Sequence, residues 1–125
     1  MFRRQSAFTL IELLVVFAII ATLLSLVAPR YFQSLDRSKE AALRENLSTL
    51  RHALDKYQDD TGKYPNSIED LVNAKYLRKI PVDPVTDSAG SWILIAPADA
   101  KKGGIFDIKS GAAGNSTAGT PYSEF

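Results

Sequence analysis

A chain of 125 residues has room for one small domain plus a membrane helix and is too short for two cores. With no cysteine it needs no oxidative folding, and neither a disulfide framework nor a thiolate site can form. Its 15 Lys and Arg against 14 Asp and Glu leave a formal net charge of +1, which gives no electrostatic case for nucleic acid as a main partner.

The chain opens with MFRRQSA, in which Arg3 and Arg4 are the sole charges. Phe8 to Ala28, FTLIELLVVFAIIATLLSLVA, is then apolar except for Thr9, Glu12, Thr22 and Ser25. At ~1.5 Å rise per residue a helix of this length covers ~30 Å, the hydrocarbon thickness of a bilayer, and in lipid only a helix satisfies the backbone of a single segment. The basic leader predicts a cytoplasmic N-terminus, with the remainder sent outward. A Sec-type signal peptide has a shorter apolar region ending in a spaced pair of small residues, which Ser25 to Pro29 lacks. Glu12 lies just inside the run, where an ionised carboxylate near the bilayer centre costs roughly 2.5–3.5 kcal/mol. Either it has a cationic partner, or it rests at the headgroups or is protonated.

A short basic leader, a small residue, FTLIELLVVFAII, and Pro29 closing the apolar run resemble the class III signal and N-terminal helix of type IV pilins and type II secretion pseudopilins. The resemblance implies that a prepilin peptidase cuts between Ala7 and Phe8 on the cytoplasmic side, and that the new amine of Phe8 is N-methylated. It also implies that Glu12 acts in assembly, setting register by pairing with the Phe8 amine of an adjacent subunit. Glu12 is also four residues from the amine of its own helix and can reach its terminal NH groups, so an internal pairing competes. The family usually has Gly before the cut. Ala7 is the next smallest side chain, so cleavage is expected to be slower or unaffected. Loss of Arg3 and Arg4 with the leader takes the basic count from 15 to 13 against 14 acids. Without cysteine, the disulfide-bounded C-terminal loop of many type IV pilins is impossible, which favours a pseudopilin.

After Pro29 the apolar pattern becomes periodic. Leu43, Leu47, Leu50, Leu54 and Tyr57 recur at helical spacing, with Arg44, Glu45, Ser48, Arg51, Asp55 and Lys56 between them. Glu40 with Arg44 and Arg51 with Asp55 are favourable four-residue pairs for an exposed helix face. The spacing predicts one long helix from Phe8 to about Asp60, kinked at Pro29, which lacks a backbone donor and crowds the preceding turn. Gly62 and Pro65 end it, and Asp59 with Asp60 read as turn formers. Ser67, with an acid three residues on, caps a short helix through about Asn73. GKYP, that helix and YLRKIPVDP also resemble the loop after the long helix of major pseudopilins, extending the likeness to about two thirds of the chain.

SWILIA (Ser91 to Ala96) and IFDIK (Ile105 to Lys109) are the strand candidates, joined by PADAKKGG. They predict an antiparallel hairpin on the leucine stripe, with room for a third edge strand from Val82 to Val85 or from the tail. From Ser110 the chain is small, polar and glycine-rich, with too little apolar surface to offset ordering entropy, and a flexible tail is expected. The predicted class is α+β and pilin-like: leader 1–7, transmembrane and assembly helix 8–28, amphipathic helix 29–60, and a small periplasmic head 61–125.

Catalysis has little support. His52 is the only histidine and reads as solvated or partly packed. Asp83, Asp87, Asp99 and Asp107 are the acids available as oxygen ligands, and the resemblance to major pseudopilins implies calcium in the C-terminal loop. That family loop carries closely spaced acids after the last strand, whereas here the region has only Glu124, so no cofactor is expected and no metal ligand is carried over. The resemblance implies a structural subunit, not an enzyme. It would be made in the inner membrane and assembled into a periplasmic helical homo-oligomer, with prepilin peptidase, other pseudopilins and an inner-membrane assembly platform as partners. A type IV pilin for adhesion, motility or DNA uptake is the near alternative. A membrane-tethered periplasmic binding domain or enzyme is the third.

Overall fold

The computed structural model describes residues 7–99, 101 and 103–125. The chain divides into two compact units, Met1–Leu35 and Asp36–Phe125. One helix, α1 (Leu10–Thr61, 52 residues), belongs to both and continues through Pro29 without a break. Arg3 and Arg4 of the leader lie outside the described residues.

In the first unit α1 is long and apolar enough to cross a membrane, and its most apolar 18-residue window buries nothing within the chain. The few hydroxyls in the run do not stay free. Thr22 Oγ1 donates to the Ala18 carbonyl at 2.8 Å and Ser25 Oγ to the Thr22 carbonyl at 2.7 Å, so each returns to its own helix.

In the second unit α1 acquires one buried face. Its buried residues are Glu40, Leu43, Leu47, Leu50, Ala53 and Leu54, and the four leucines are each at most 1% exposed. Burying a leucine contributes ~1.5–3 kcal/mol, so the stripe anchors the head. The core continues onto Ile68, Leu71, Leu77, Trp92, Ile105 and Ile108.

Gly62 closes α1 in the left-handed region, at φ +75°, with its N–H on the Gln58 carbonyl at 2.8 Å. Ser67 then caps α2 (Ile68–Asn73) by accepting the Asp70 N–H. Asp60, expected with Asp59 as a turn former, instead lies inside the last turn of α1. It accepts the Tyr76 hydroxyl at 2.8 Å, which, with burial second, raises the Tyr76 pKa and ties the loop after α2 back to the end of α1.

Strands β1 (Ile93–Ile95) and β2 (Asp107–Lys109) pair antiparallel, with Ile93 opposite Lys109 and Ile95 opposite Asp107. Both are shorter than predicted because their flanks serve other contacts. Trp92 turns into the core and donates Nε1 to the Pro81 carbonyl at 2.8 Å, while the Ile105 N–H goes to Pro65 O at 2.9 Å. The expected third strand is absent among the described residues. At Val82 to Val85 the carboxylate of Asp83 accepts the Val85 N–H at 2.9 Å, folding the backbone into a turn closed by the Asp83 N–H on Ser88 O at 3.0 Å.

The tail departs most from expectation. Instead of fraying, residues 110–125 form an ordered strap. Ser110 and Ser116 are buried, Ser116 and Thr120 exchange hydrogen bonds, and Tyr122–Glu124 forms a short 3-10 turn. Gly111 starts the strap by passing so close to the chain before β1 that a Cβ there would lie 2.0 Å from the Ser91 carbonyl oxygen. The ordering is polar, which is why apolar content missed it. Tyr122 is drawn in as well, and burial, then Glu40, Asp36 and Asp83, raises its hydroxyl pKa.

Leu50→Ala removes a side chain with no exposed surface from the middle of the stripe, and is expected to cost about 2–5 kcal/mol. Denaturant unfolding of the full chain in detergent, followed by the fluorescence of Trp92, the single tryptophan, measures the loss.

Candidate functional site

The N-terminal residues of the apolar helix are built around its first turn. Leu10 is the first helical residue, so Thr9 holds the cap position and Glu12 the third position inside. The two cap each other: the Thr9 N–H donates to Glu12 Oε2 at 3.0 Å, and the Glu12 N–H donates to Thr9 Oγ1 at 3.2 Å. This reciprocal capping box satisfies two donors that a helix start leaves open, and it sets the carboxylate against the positive end of the helix dipole. Thr9 was not singled out from the sequence, although Thr-x-x-Glu before an apolar run is the signal for it.

Ala7 and Phe8 precede the helix in non-helical backbone, and the Phe8 side chain is 83% exposed. The peptide bond between them is therefore exposed and lies outside the helix. Pro29 lies inside α1, on the same continuous helix as Glu12. The first unit therefore combines an accessible bond, a self-capped carboxylate and an uncovered apolar surface.

The other candidates stay apart. His52 is exposed on α1, and Asp87 is exposed in its turn. Asp99 accepts the N–H of Lys101 at 3.0 Å. Asp107 Oδ1 accepts Arg51 Nε at 3.0 Å, so Arg51 takes this partner across the fold, not Asp55 on its own helix. Glu40 likewise bonds Thr117 from the strap, and Arg44 lies over the Phe125 ring, 4.4 Å from its centre. Both four-residue pairs expected from spacing are thus replaced by tertiary partners. Among the described residues no three His, Asp or Glu side chains gather as a metal group.

An uncovered apolar helix carrying a capped carboxylate, joined to a small α+β head, defines a pilin-like, membrane-anchored subunit. Residues 2–28 match the family described as the prokaryotic N-terminal methylation motif. The chain is 35% identical over 98 residues to the type II secretion system core protein G of Pseudomonas aeruginosa, covering 66% of this chain and 69% of that one. It is 32% identical to the namesake from Aeromonas hydrophila, over 66% of this chain and 68% of that one, and 28% identical to that of Escherichia coli, over 86% and 81%. No solved structure matches. The chain belongs to the type II secretion system core protein G family, the major pseudopilins.

Thr9→Val keeps the shape of the side chain and removes its acceptor, so the first turn of α1 is expected to lose ~1 kcal/mol. Amide hydrogen exchange of the full chain in micelles tests this: Glu12 and its neighbours should exchange faster, with Leu43 to Leu54 unchanged.

Proposed function

We propose that this chain is a structural, non-catalytic subunit of the periplasmic pseudopilus of a type II secretion system, helping to drive proteins across the outer membrane. The observation that carries the reading is the uncovered apolar run of α1 with Glu12 in its first turn, together with the family membership. In this reading the subunit inserts into the inner membrane with its N-terminus cytoplasmic and its head periplasmic. Prepilin peptidase cuts the bond between Ala7 and Phe8, and the freed Phe8 amine is methylated. Pro29, lacking an amide donor, lets α1 bend near the membrane surface. An inner-membrane assembly platform then lifts subunits into a helical filament, where other pseudopilins join them.

Glu12 gives the filament its register. A carboxylate among packed apolar helices needs a cation, and the processed helix offers one at that depth, the Phe8 amine of an adjacent copy. The bond from the Thr9 N–H does not preclude this, because a carboxylate accepts several hydrogen bonds.

Intact mass of membrane-extracted protein is expected to show a mature chain that begins at methylated Phe8. A start after Ala28, or a retained Met1, removes the processing step from the reading.

Glu12→Ala is expected to be processed and inserted normally and to enter filaments poorly beside wild-type copies. Filament yield and exoprotein release measure this, with twitching and transformation assayed alongside to test for a type IV pilin. Normal filaments and normal secretion from Glu12→Ala would return Glu12 to a carboxylate resting at the headgroups.

A further inference from the structure

The resemblance to major pseudopilins implies a calcium ion in the C-terminal loop, and the residues of this chain do not fit one. Calcium takes six to eight oxygens, mostly from carboxylates and carbonyls that are free to turn toward it. Here two buried or half-buried acids near the strap are already engaged. Asp83 is fully buried; its Oδ1 accepts the N–H groups of Val85 and Thr86, and its Oδ2 accepts the Ser110 hydroxyl. Asp107 Oδ1 accepts Arg51 Nε and its neighbour's N–H. Glu124, the one acid of the strap, is exposed.

A different cation occupies the equivalent role. The Arg51 guanidinium donates Nε to Asp107 Oδ1 at 3.0 Å, and Nη2 to the Ile108 carbonyl at 3.1 Å and the Phe125 main-chain oxygen at 2.7 Å. One carboxylate and two main-chain oxygens thus converge on one positive group, from β2 on one side and the strap on the other. A second clasp lies three turns earlier on α1. Glu40 is only 4% exposed, and its two oxygens accept the Thr117 N–H at 2.6 Å and hydroxyl at 3.0 Å. A carboxylate so buried is costly without these donors, so the strap and Glu40 need each other.

We propose that in this chain the C-terminal strap is fastened by Arg51 and Glu40 in place of a calcium ion, so that the head folds and keeps residues 110–125 in place without metal. Arg51 does this because its planar fork holds several oxygens at once, which a point charge such as lysine cannot do. Glu40 does it because it sits in register with Leu43 and Leu47 on the buried stripe, which brings the strap down onto the core edge. This inference concerns the head alone and does not depend on the filament role.

The test is hydrogen exchange on the full chain in detergent micelles, with calcium or with the chelator EGTA, read separately for the strap and for the core. For the wild type, strap amides at 112–125 are expected to exchange equally in both conditions, with the same melting temperature. Faster strap exchange in EGTA, or a melting temperature raised by calcium, overturns the proposal. Arg51→Met and Glu40→Ala are each expected to speed strap exchange by about tenfold or more, from the loss of hydrogen bonds to a charged group, while amides of Leu47 and Leu50 stay protected. Thr117→Val, which removes only the hydroxyl donor, should give a smaller increase. If Arg51→Met and Glu40→Ala leave strap exchange unchanged, the clasps do not hold it and the proposal fails. Because the chelator comparison uses wild-type protein, it stands even where a variant does not fold.

Discussion

One helix has to serve two solvents, and the rest of the molecule follows from that. From Leu10 to Lys39 no residue of α1 is buried by its own chain, and from Glu40 to Leu54 a residue at every third or fourth position is. The backbone is hydrogen-bonded throughout, so the same secondary structure is stable in lipid, where nothing else satisfies the peptide groups, and in water, where burial must stabilise it. The head depends on the second part. Two three-residue strands form no independent sheet, and Ile108, Ile105 and Trp92 are buried because the leucine face of α1 gives them something to pack on.

Magnitudes explain why the charges of α1 choose distant partners. An exposed pair four residues apart on a helix contributes ~0.2–0.5 kcal/mol, which is all that Glu40 with Arg44 or Arg51 with Asp55 had to offer. A hydrogen bond to a charged group in a partly buried site contributes roughly 1.5–3 kcal/mol. Arg51 makes three such contacts with Asp107, Ile108 and Phe125, and Glu40 makes two with Thr117. The tertiary arrangement therefore outweighs the local one, and Glu40 and Arg51 become the points of α1 at which the strap docks.

This also marks where the sequence was legible. The apolar run, the leucine stripe, Gly62, the Ser67 cap and the hairpin were readable because each rests on local rules of period, capping or turn chemistry. The strap was not, because its order rests on hydrogen bonds from Ser110 to Asp83 and from Thr117 to Glu40, far away in sequence, and composition counts only apolar surface. One signal was present and passed over: Glu40 falls three residues before Leu43, on the buried stripe itself, and a carboxylate at such a position has to meet donors from elsewhere. The third strand failed for a related reason. Asp83 prefers to hydrogen-bond its own downstream backbone, and that turns Val82 to Val85 away from an edge. At the N-terminal site, Glu12 stood out because a charge in an apolar run is conspicuous. Thr9, which holds it, looked like an unremarkable residue beside it.

The capping box bears on how one carboxylate could serve the filament role proposed for Glu12 while lying in an apolar run. An ionised group entering lipid is penalised for lost solvation, and the Thr9 N–H with the positive end of the helix dipole offsets part of that penalty from within the same turn. The offset is partial by nature, since one N–H bond leaves a carboxylate able to accept more. A fully satisfied Glu12 would gain little from a neighbour, and a wholly unsatisfied one would resist staying in the bilayer. A carboxylate held at the first turn keeps acceptor capacity to spare, and in the assembly role proposed for Glu12 it would still gain by meeting an amine at the same depth.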